Sequence, residues 1–596
     1  MMLAFSRRLV FIVSYVLVGA AALGQTPGSG NQPLNSDGLA KRPRYGINLK
    51  LDFDNREFSG IQKFRWTNPS DRSLSVLYFH LYPNVRADYT AVNSGGAPPP
   101  LDPDHPRLEV TKVSVAGTET PLHFSFEDQG TTLRVGLREA VLPNRTIELE
   151  MEFNGKVPEI DPDETGLTTH VVKQVSAALR GEREIRQGRD INFRSRGVML
   201  LSTFQPVLAV HDGDEWNRRI VPSIGDIVFN DIADYEVTLE SDPGIAVFTS
   251  GNEKASPATA NNVCTFVGTS LRDFALIAGR TLRSEETEVR GTKVRSVFLA
   301  EHERVGKRAL RVAVDAFRIF SSRFGPLPFE TISVVESPLV AGVGSSEFTA
   351  FNVIASAYYV DFDAPSMRNL PELIREQRSA VEQSLEWTVA HLMAHQWWGA
   401  VVGSDPARQP VLDEALSSWS ALLYYREAYG DERAAAVLQD ELLGVYRLYR
   451  TFGGEDMDAN RPARDYRNSF QYEAIVTAKG ALMFVELRRL LGDEKLFAAL
   501  RSYYQANYFE IAQLEDLRAA IIAETPVDQR RTVGRVFTRW LASRRGDEDI
   551  ARPDPELATS LGLPVRSEPQ KGGDRNALTP FARLGKFFWQ QMTRIR

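Results

Sequence analysis

Val389-Ala390-His391-Leu392-Met393-Ala394-His395-Gln396-Trp397-Trp398-Gly399 is the stretch on which the reading of this chain turns. No Pro or Gly interrupts Ser379 to Trp398, so a helix is expected there. Residues i and i+4 of a helix lie on one face, one turn apart. His391 and His395 thus present two imidazoles side by side, as two corners of a zinc tetrahedron require. After eighteen intervening residues comes Glu414, inside a second expected helix, Val411 to Tyr425. A carboxylate is the usual third ligand beside two such histidines, with the fourth position left to water. Eight histidines in 596 residues give roughly 0.1 chance pairs at this spacing, and requiring the later acid lowers that to roughly 0.01. The competing reading is a pair of ordinary helix-surface or core histidines.

Working outward, the hydrophobic period changes near Ser284. Behind that point, Glu301 to Phe324 reads as a helix, Thr331 to Glu336 as a strand, and most of Leu370 to Ser543 as helix. In front of it, Ile47, Leu49, Leu51 and Phe53 alternate before Asp54-Asn55, and Ile147, Leu149, Met151 and Phe153 alternate with glutamates. Period two closed by a turn signal is a half-buried strand. Leu77 to Tyr82 and Tyr235 to Leu239 are further strand candidates, and only a charged stretch near Val171–Asn192 is ambiguous. The expected fold class is therefore multi-domain α+β, an N-terminal all-β sandwich or saddle followed by a mostly helical unit. His80, His105, His123, His170 and His211 are scattered without ligand spacing and read as ordinary histidines.

Composition narrows the function classes. With 43% hydrophobic and 25% charged residues, the chain is neither wholly disordered nor a multi-span membrane protein. The net charge of −7 argues against a generally basic nucleic-acid-binding surface, so no nucleic-acid partner is expected. Cys264 is the single cysteine, so no intrachain disulfide can staple the fold. Arg7 and Arg8, the apolar run Leu9 to Leu23 and the small-x-small site at Ala22-Leu23-Gly24 form a secretory signal pattern; an uncut anchor is the alternative. Export to a periplasmic or extracellular location is the expectation.

At the other end, Asp547 to Asn576 reads as a linker. Phe581, Leu584, Phe588, Met592 and Ile595 then recur at helical spacing among basic residues with no acid. That tail could lie on an anionic membrane surface or dock on its own domain. The expected layout is 1–24 signal, 25–43 leader, 44–283 β-domain, 284–546 zinc-site domain, and 547–596 linker and amphipathic basic tail.

The motif Val389 to Gly399 with Leu412-Asp413-Glu414-Ala415 resembles the zinc site of the membrane alanyl aminopeptidase (aminopeptidase N) family of gluzincins. That family has His-Glu-x-x-His, a Gln-Trp-x-Gly tail and a third-ligand Glu after eighteen residues. Tyr78 to Asn84 and Ala233 to Val237 resemble strands of its N-terminal β-domain. Gly342 to Phe348 is similar to the strand that holds a substrate's amino terminus, and Lys479-Gly480-Ala481 to the helix after the active site. The resemblance covers about residues 44 to 545, in separate motifs. It implies a thermolysin-like helical domain, zinc on His391, His395 and Glu414, and peptide or protein N-termini as partners, with Glu347 binding the amine. Fuller members carry a large C-terminal helical domain; too little chain follows Ser543 here to expect one.

Two departures set the functional expectation. Leu392 stands where the family's general-base Glu would be, and Thr477 where its oxyanion-stabilising Tyr would be; Tyr472 is nearby but out of register. Losing a general base costs about 10²–10⁴ in rate, and losing an oxyanion donor about 10²–10³. Zinc binding with weak or absent peptide hydrolysis is therefore expected. The alternatives are an active zinc aminopeptidase with a substitute base, for which Glu386 and Asp413 are nearest in sequence, and a non-catalytic surface or interaction protein whose zinc fold is only scaffold, with the basic tail as its working part.

Overall fold

Alternation shapes the front half as expected. In the strand Arg44–Asp52, Ile47, Leu49 and Leu51 share one buried face. The chain turns at Asp54-Asn55, where the Asn55 amide donates to Asp52 Oδ1 at 3.0 Å, and returns antiparallel as Glu57–Thr67. Thr146–Lys156 extends the sheet, setting Leu149 opposite Phe64, and Ala233–Ser241 pairs in parallel on the far side, setting Val237 opposite Ile47. Among the described residues seven strands join this sheet, and two further sheets have four strands each. Phe64 of the large sheet meets Phe79 of the strand Leu74–His80 edge-on at 5.1 Å, which is sheet-on-sheet packing. This computed structural model describes residues 41–86, 107–118, 120–180, 183–254, 262–365, 367 and 378–560.

Three expectations are corrected. The front half is not all-β: helix α1, Leu167–Arg180, crosses the stretch that was ambiguous. Its buried positions include His170 and Ala177, two helical turns apart on one face. The strand beginning at Leu74 ends at His80, and Tyr82–Asn84 is a 3₁₀ turn, because Pro83 has no N–H to give a sheet. Finally, the described part of the expected linker is docked. Arg450 holds Asp547 with Nε–Oδ1 at 2.6 Å, and the Gly546 and Asp554 amides donate to Asp456 Oδ2 and Thr451 Oγ1.

Behind the β region, a mixed sheet runs in the order Leu282–Val289, Thr292–Leu299, Thr331–Ser337, Phe351–Ala355, Ser345–Phe348. The change of period read near Ser284 falls inside its first strand. Helices α2 (Glu303–Arg323), α3 (Arg378–His395), α4 (Val411–Tyr429) and α5 (Gly480–Ala506) follow. Phe324, Trp397, Trp398, Trp419 and Phe497 interlock where α2, α3, α4 and α5 converge. From Pro43 on, the described residues form one compact unit. Arg272 is one reason. Its buried guanidinium donates to the carbonyls of Ala400, Val401 and Glu510 at 3.0, 3.2 and 2.9 Å, tying the β region to the loop after the histidine helix.

Among the described residues no helix is long and apolar enough to cross a membrane. The signal pattern, nearly all of the leader, His105 and the basic tail lie outside the described residues.

Candidate metal centre

The last turn of α3 and the first turn of α4 bring the three expected ligands together. His391 Nε2 and His395 Nε2 are 3.0 Å apart, and Glu414 Oε2 lies 3.4 and 3.8 Å from them. Donors about 2.0–2.2 Å from a tetrahedral zinc are about 3.3–3.6 Å from one another. The three sides of 3.0, 3.4 and 3.8 Å average to that size, so the donor set fits the ion. Burial, aided by His391, lowers His395 to a pKa of about 4, which keeps its imidazole in the neutral form a metal needs. Burial would raise the Glu414 carboxyl, but hydrogen bonds from His391 and Tyr472 and the two imidazoles hold it below its usual value. Its place in the first turn of α4 favours negative charge as well.

The residues around the ligands explain the rest of the motif. Gln396 is fully buried: its Oε1 accepts from the Ala350 amide at 2.7 Å, and its Nε2 donates to Phe348 O and Asn352 Oδ1 at 3.1 and 2.8 Å. It locks the end of α3 to the edge strand Ser345–Phe348, which carries Glu347. Trp397 Nε1 donates to Gly325 O and Trp398 Nε1 to Ser420 Oγ, fixing the end of α3 to the end of α2 and the middle of α4. Gly399 has φ +130, and a Cβ there would sit 3.3 Å from His395 O and 3.5 Å from His395 Nδ1. Lys479 is buried, with Nζ on Asp456 Oδ1, Met457 O and Ser543 O at 2.7–2.8 Å. Gly480 lets α5 approach α4 one residue from Glu414, since a Cβ would lie 2.8 Å from Ala415 Cβ.

A cleft of about 190 Å³ opens on this centre, lined among others by Arg186, Asp226, Glu347, His391, Glu414 and Tyr472. Glu347 Oε1 approaches His395 Nδ1 at 3.6 Å. Asp226 was not singled out by sequence. It comes from the loop before the strand Ala233–Ser241 and joins Glu347 and Glu414 in a second cluster of carboxylates. Burial and the charge of Glu347 push Asp226 well above the usual carboxylate range, and burial carries Glu347 to about 7. These two carboxyls are hydrogen-bonded to each other, so at neutral pH the pair holds a proton.

The departures persist in space. Leu392 is a fully buried core residue. Thr477 reaches the cleft, but its hydroxyl donates back to the Glu473 carbonyl. Neither candidate substitute base is placed for the task. Glu386 points away, its Oε1 accepting from Tyr424 at 2.9 Å and from Tyr429. Asp413 accepts from Ser404 Oγ and from the Glu414 amide, both at 2.8 Å. Tyr472, in contrast, donates to Glu414 Oε1 at 3.2 Å. Burial and the Glu414 charge push its phenol well above the usual value, so it stays a donor.

Residues 370–540 match the family model described as the Peptidase family M1 domain. Aminopeptidase M1-B of Oryza sativa subsp. japonica is 26% identical over 256 residues, covering 42% of this chain and 27% of the relative. Aminopeptidase N of Lactobacillus delbrueckii subsp. lactis is 29% identical over 163 residues, covering 26% and 18%. The chain thus spans about a quarter of the length of the curated relatives it matches. The solved M1 zinc metallopeptidase of Deinococcus radiodurans superposes with a TM-score of 0.54 at 15% identity, covering 85% of this chain and 94% of that one. A mutant of the same enzyme bound to a Tyr-Ser-Ala substrate gives a TM-score of 0.53 at 15% identity, with the same coverage. At such identity the likeness is one of fold, a β-rich N-terminal region followed by a helical domain. Residues 370–540 are thus matched by the M1 domain, and most of the chain shares the fold of an M1 zinc metallopeptidase, in line with the likeness of its motifs to the aminopeptidase N family.

Proposed function

We propose that this protein is an exported, zinc-binding member of that family that engages peptide or protein N-termini and hydrolyses peptide bonds weakly or not at all. One observation carries the reading. The three ligand atoms keep zinc-sized spacing, while the adjoining position 392 is a fully buried leucine. His391, His395 and Glu414 would hold the ion, and bound zinc supplies Lewis acidity toward a carbonyl. Glu347, set on its strand by Gln396, would receive the substrate's amino group, with the Asp226 carboxyl hydrogen-bonded beside it. Leu392 cannot accept a proton, and the Thr477 hydroxyl is committed to the backbone. The signal pattern at 1–24 supports export to the periplasm or beyond, and the 579–596 tail supports contact with a membrane surface.

An active peptidase with a substitute base has one observation in its favour, the Asp226 carboxyl in the cleft beside Glu347 and Glu414. The test is zinc content and hydrolysis of aminoacyl chromogenic substrates, for the natural protein and for Leu392→Glu combined with Thr477→Tyr. Stoichiometric zinc, little turnover by the natural protein and a large gain in the double variant support the reading. Rapid zinc-dependent turnover by the natural protein refutes it.

A further inference from the structure

Five positions before Thr477 stands a phenol that the function above does not use. We propose that Tyr472 is a positioning residue of the metal centre, holding Glu414 so that its second carboxylate oxygen faces the two histidines. The inference rests on the zinc-binding reading. Tyr472 donates to Glu414 Oε1 at 3.2 Å, and Glu414 Oε2 is the atom at 3.4 and 3.8 Å from the imidazole nitrogens. A carboxylate anchored through one oxygen offers the other to a metal at a fixed angle. Partners of this kind typically change metal affinity by about 10–100-fold.

The phenol is held from three sides. Tyr472 ends a short helix, Ser469–Tyr472, whose start is capped by Asn468 Oδ1 accepting the Gln471 amide at 3.0 Å. Its ring meets Tyr466 edge-on at 5.6 Å. Gly225, from the β region, leaves the space in front: it has φ +80, and a Cβ there would lie 2.8 Å from the Tyr472 hydroxyl and 2.9 Å from Cζ. The wide π-helical turn Glu473–Lys479 separates Tyr472 from the Lys479-Gly480 pair. Such a turn changes the angle between residues from that of a regular helix, so spacing alone does not tell which of positions 472 and 477 reaches the ligand. In the structure it is 472, while the Thr477 hydroxyl turns to the Glu473 carbonyl.

The test uses the full chain with zinc alone, titrated against a chromophoric chelator, and the visible absorption of the cobalt(II)-substituted protein. Tyr472→Phe is expected to weaken zinc binding by about 10-fold or more and to alter the cobalt bands. Gly225→Ala, which crowds the phenol, is expected to do the same, and Thr477→Val to leave both unchanged. A Tyr472→Phe protein with natural affinity and natural cobalt bands overturns the inference, as does an equal loss in Thr477→Val. If circular dichroism shows Tyr472→Phe to be misfolded, Gly225→Ala decides by the same two readouts. If the natural protein takes no zinc at all, the metal reading fails and this inference falls with it; tight zinc binding that ignores Tyr472 refutes this inference alone.

Discussion

Leu392→Glu puts a carboxyl back beside the first histidine, and its effects can be worked from the structure. The side chain at 392 is fully buried, one residue after His391 and so about 100° around α3 from it. Replacing leucine forfeits its apolar burial, about 1.5–3 kcal/mol of stability. In return the variant has a group able to take a proton, worth about 10²–10⁴ in rate, or about 2.7–5.5 kcal/mol on the barrier. Burial raises a carboxyl's pKa, which moves a general base toward neutrality, where it works best. The control is Leu392→Gln, which loses the same apolar packing and has nearly the same shape but moves no proton. The assay is release of the chromophore from aminoacyl p-nitroanilides by zinc-loaded proteins, with a chelator blank. The Glu variant should exceed the Gln variant by at least about 10², while both melt below the natural protein. Equal rates in two folded, zinc-loaded variants would refute the assignment of position 392 as the vacated base.

Other consequences follow from single residues. Lys479→Ala removes the partner of the buried Asp456 and strips two backbone carbonyls of a donor; denaturant unfolding should show a loss of about 3–5 kcal/mol. Gly399→Ala forces a side chain into a left-handed backbone position against His395; a loss of about 1–3 kcal/mol and weaker zinc binding should appear together in melting and titration. His80 is kept neutral, its pKa lowered to about 4 by burial. Below about 6.5 the unfolded chain takes up a proton that the folded one does not accept until about 4. This contribution is therefore constant above pH 6.5 and is lost as pH falls toward 4, by about 1.4 kcal/mol per pH unit. Urea unfolding of His80→Gln at pH 7, 5.5 and 4.5 should show a shallower acid limb than that of the natural protein.

How much of this was legible in the sequence depended on period. The strands at Ile47–Phe53 and Leu149–Phe153 and the helices carrying His391, His395 and Glu414 announce themselves by regular spacing and unbroken composition. Helix α1 reads only as an ambiguous charged stretch, and the positions it buries include a histidine, His170, and a small residue, Ala177, rather than large apolar side chains. Asp226 carried no signal at all: a lone acid in a loop meets Glu347 and Glu414 only when the β region folds against the helical one. Tyr472 was visible as a residue but not as a contact, since the π-helical turn after it breaks the spacing rule. The docked start of the stretch from Asp547 reads as a linker because what holds it, Arg450 and Thr451, lies about 100 residues away.

The central claim is that the metal site is intact while the proton-transfer machinery is not. Zinc stoichiometry and hydrolysis measured on one preparation of the natural protein test it most directly, with Glu414→Gln alongside. The account predicts one zinc per chain, lost or much weakened in Glu414→Gln, together with aminopeptidase turnover about 10² or more below that of Leu392→Glu. A natural protein that binds no zinc, or one that matches Leu392→Glu in turnover, would contradict it.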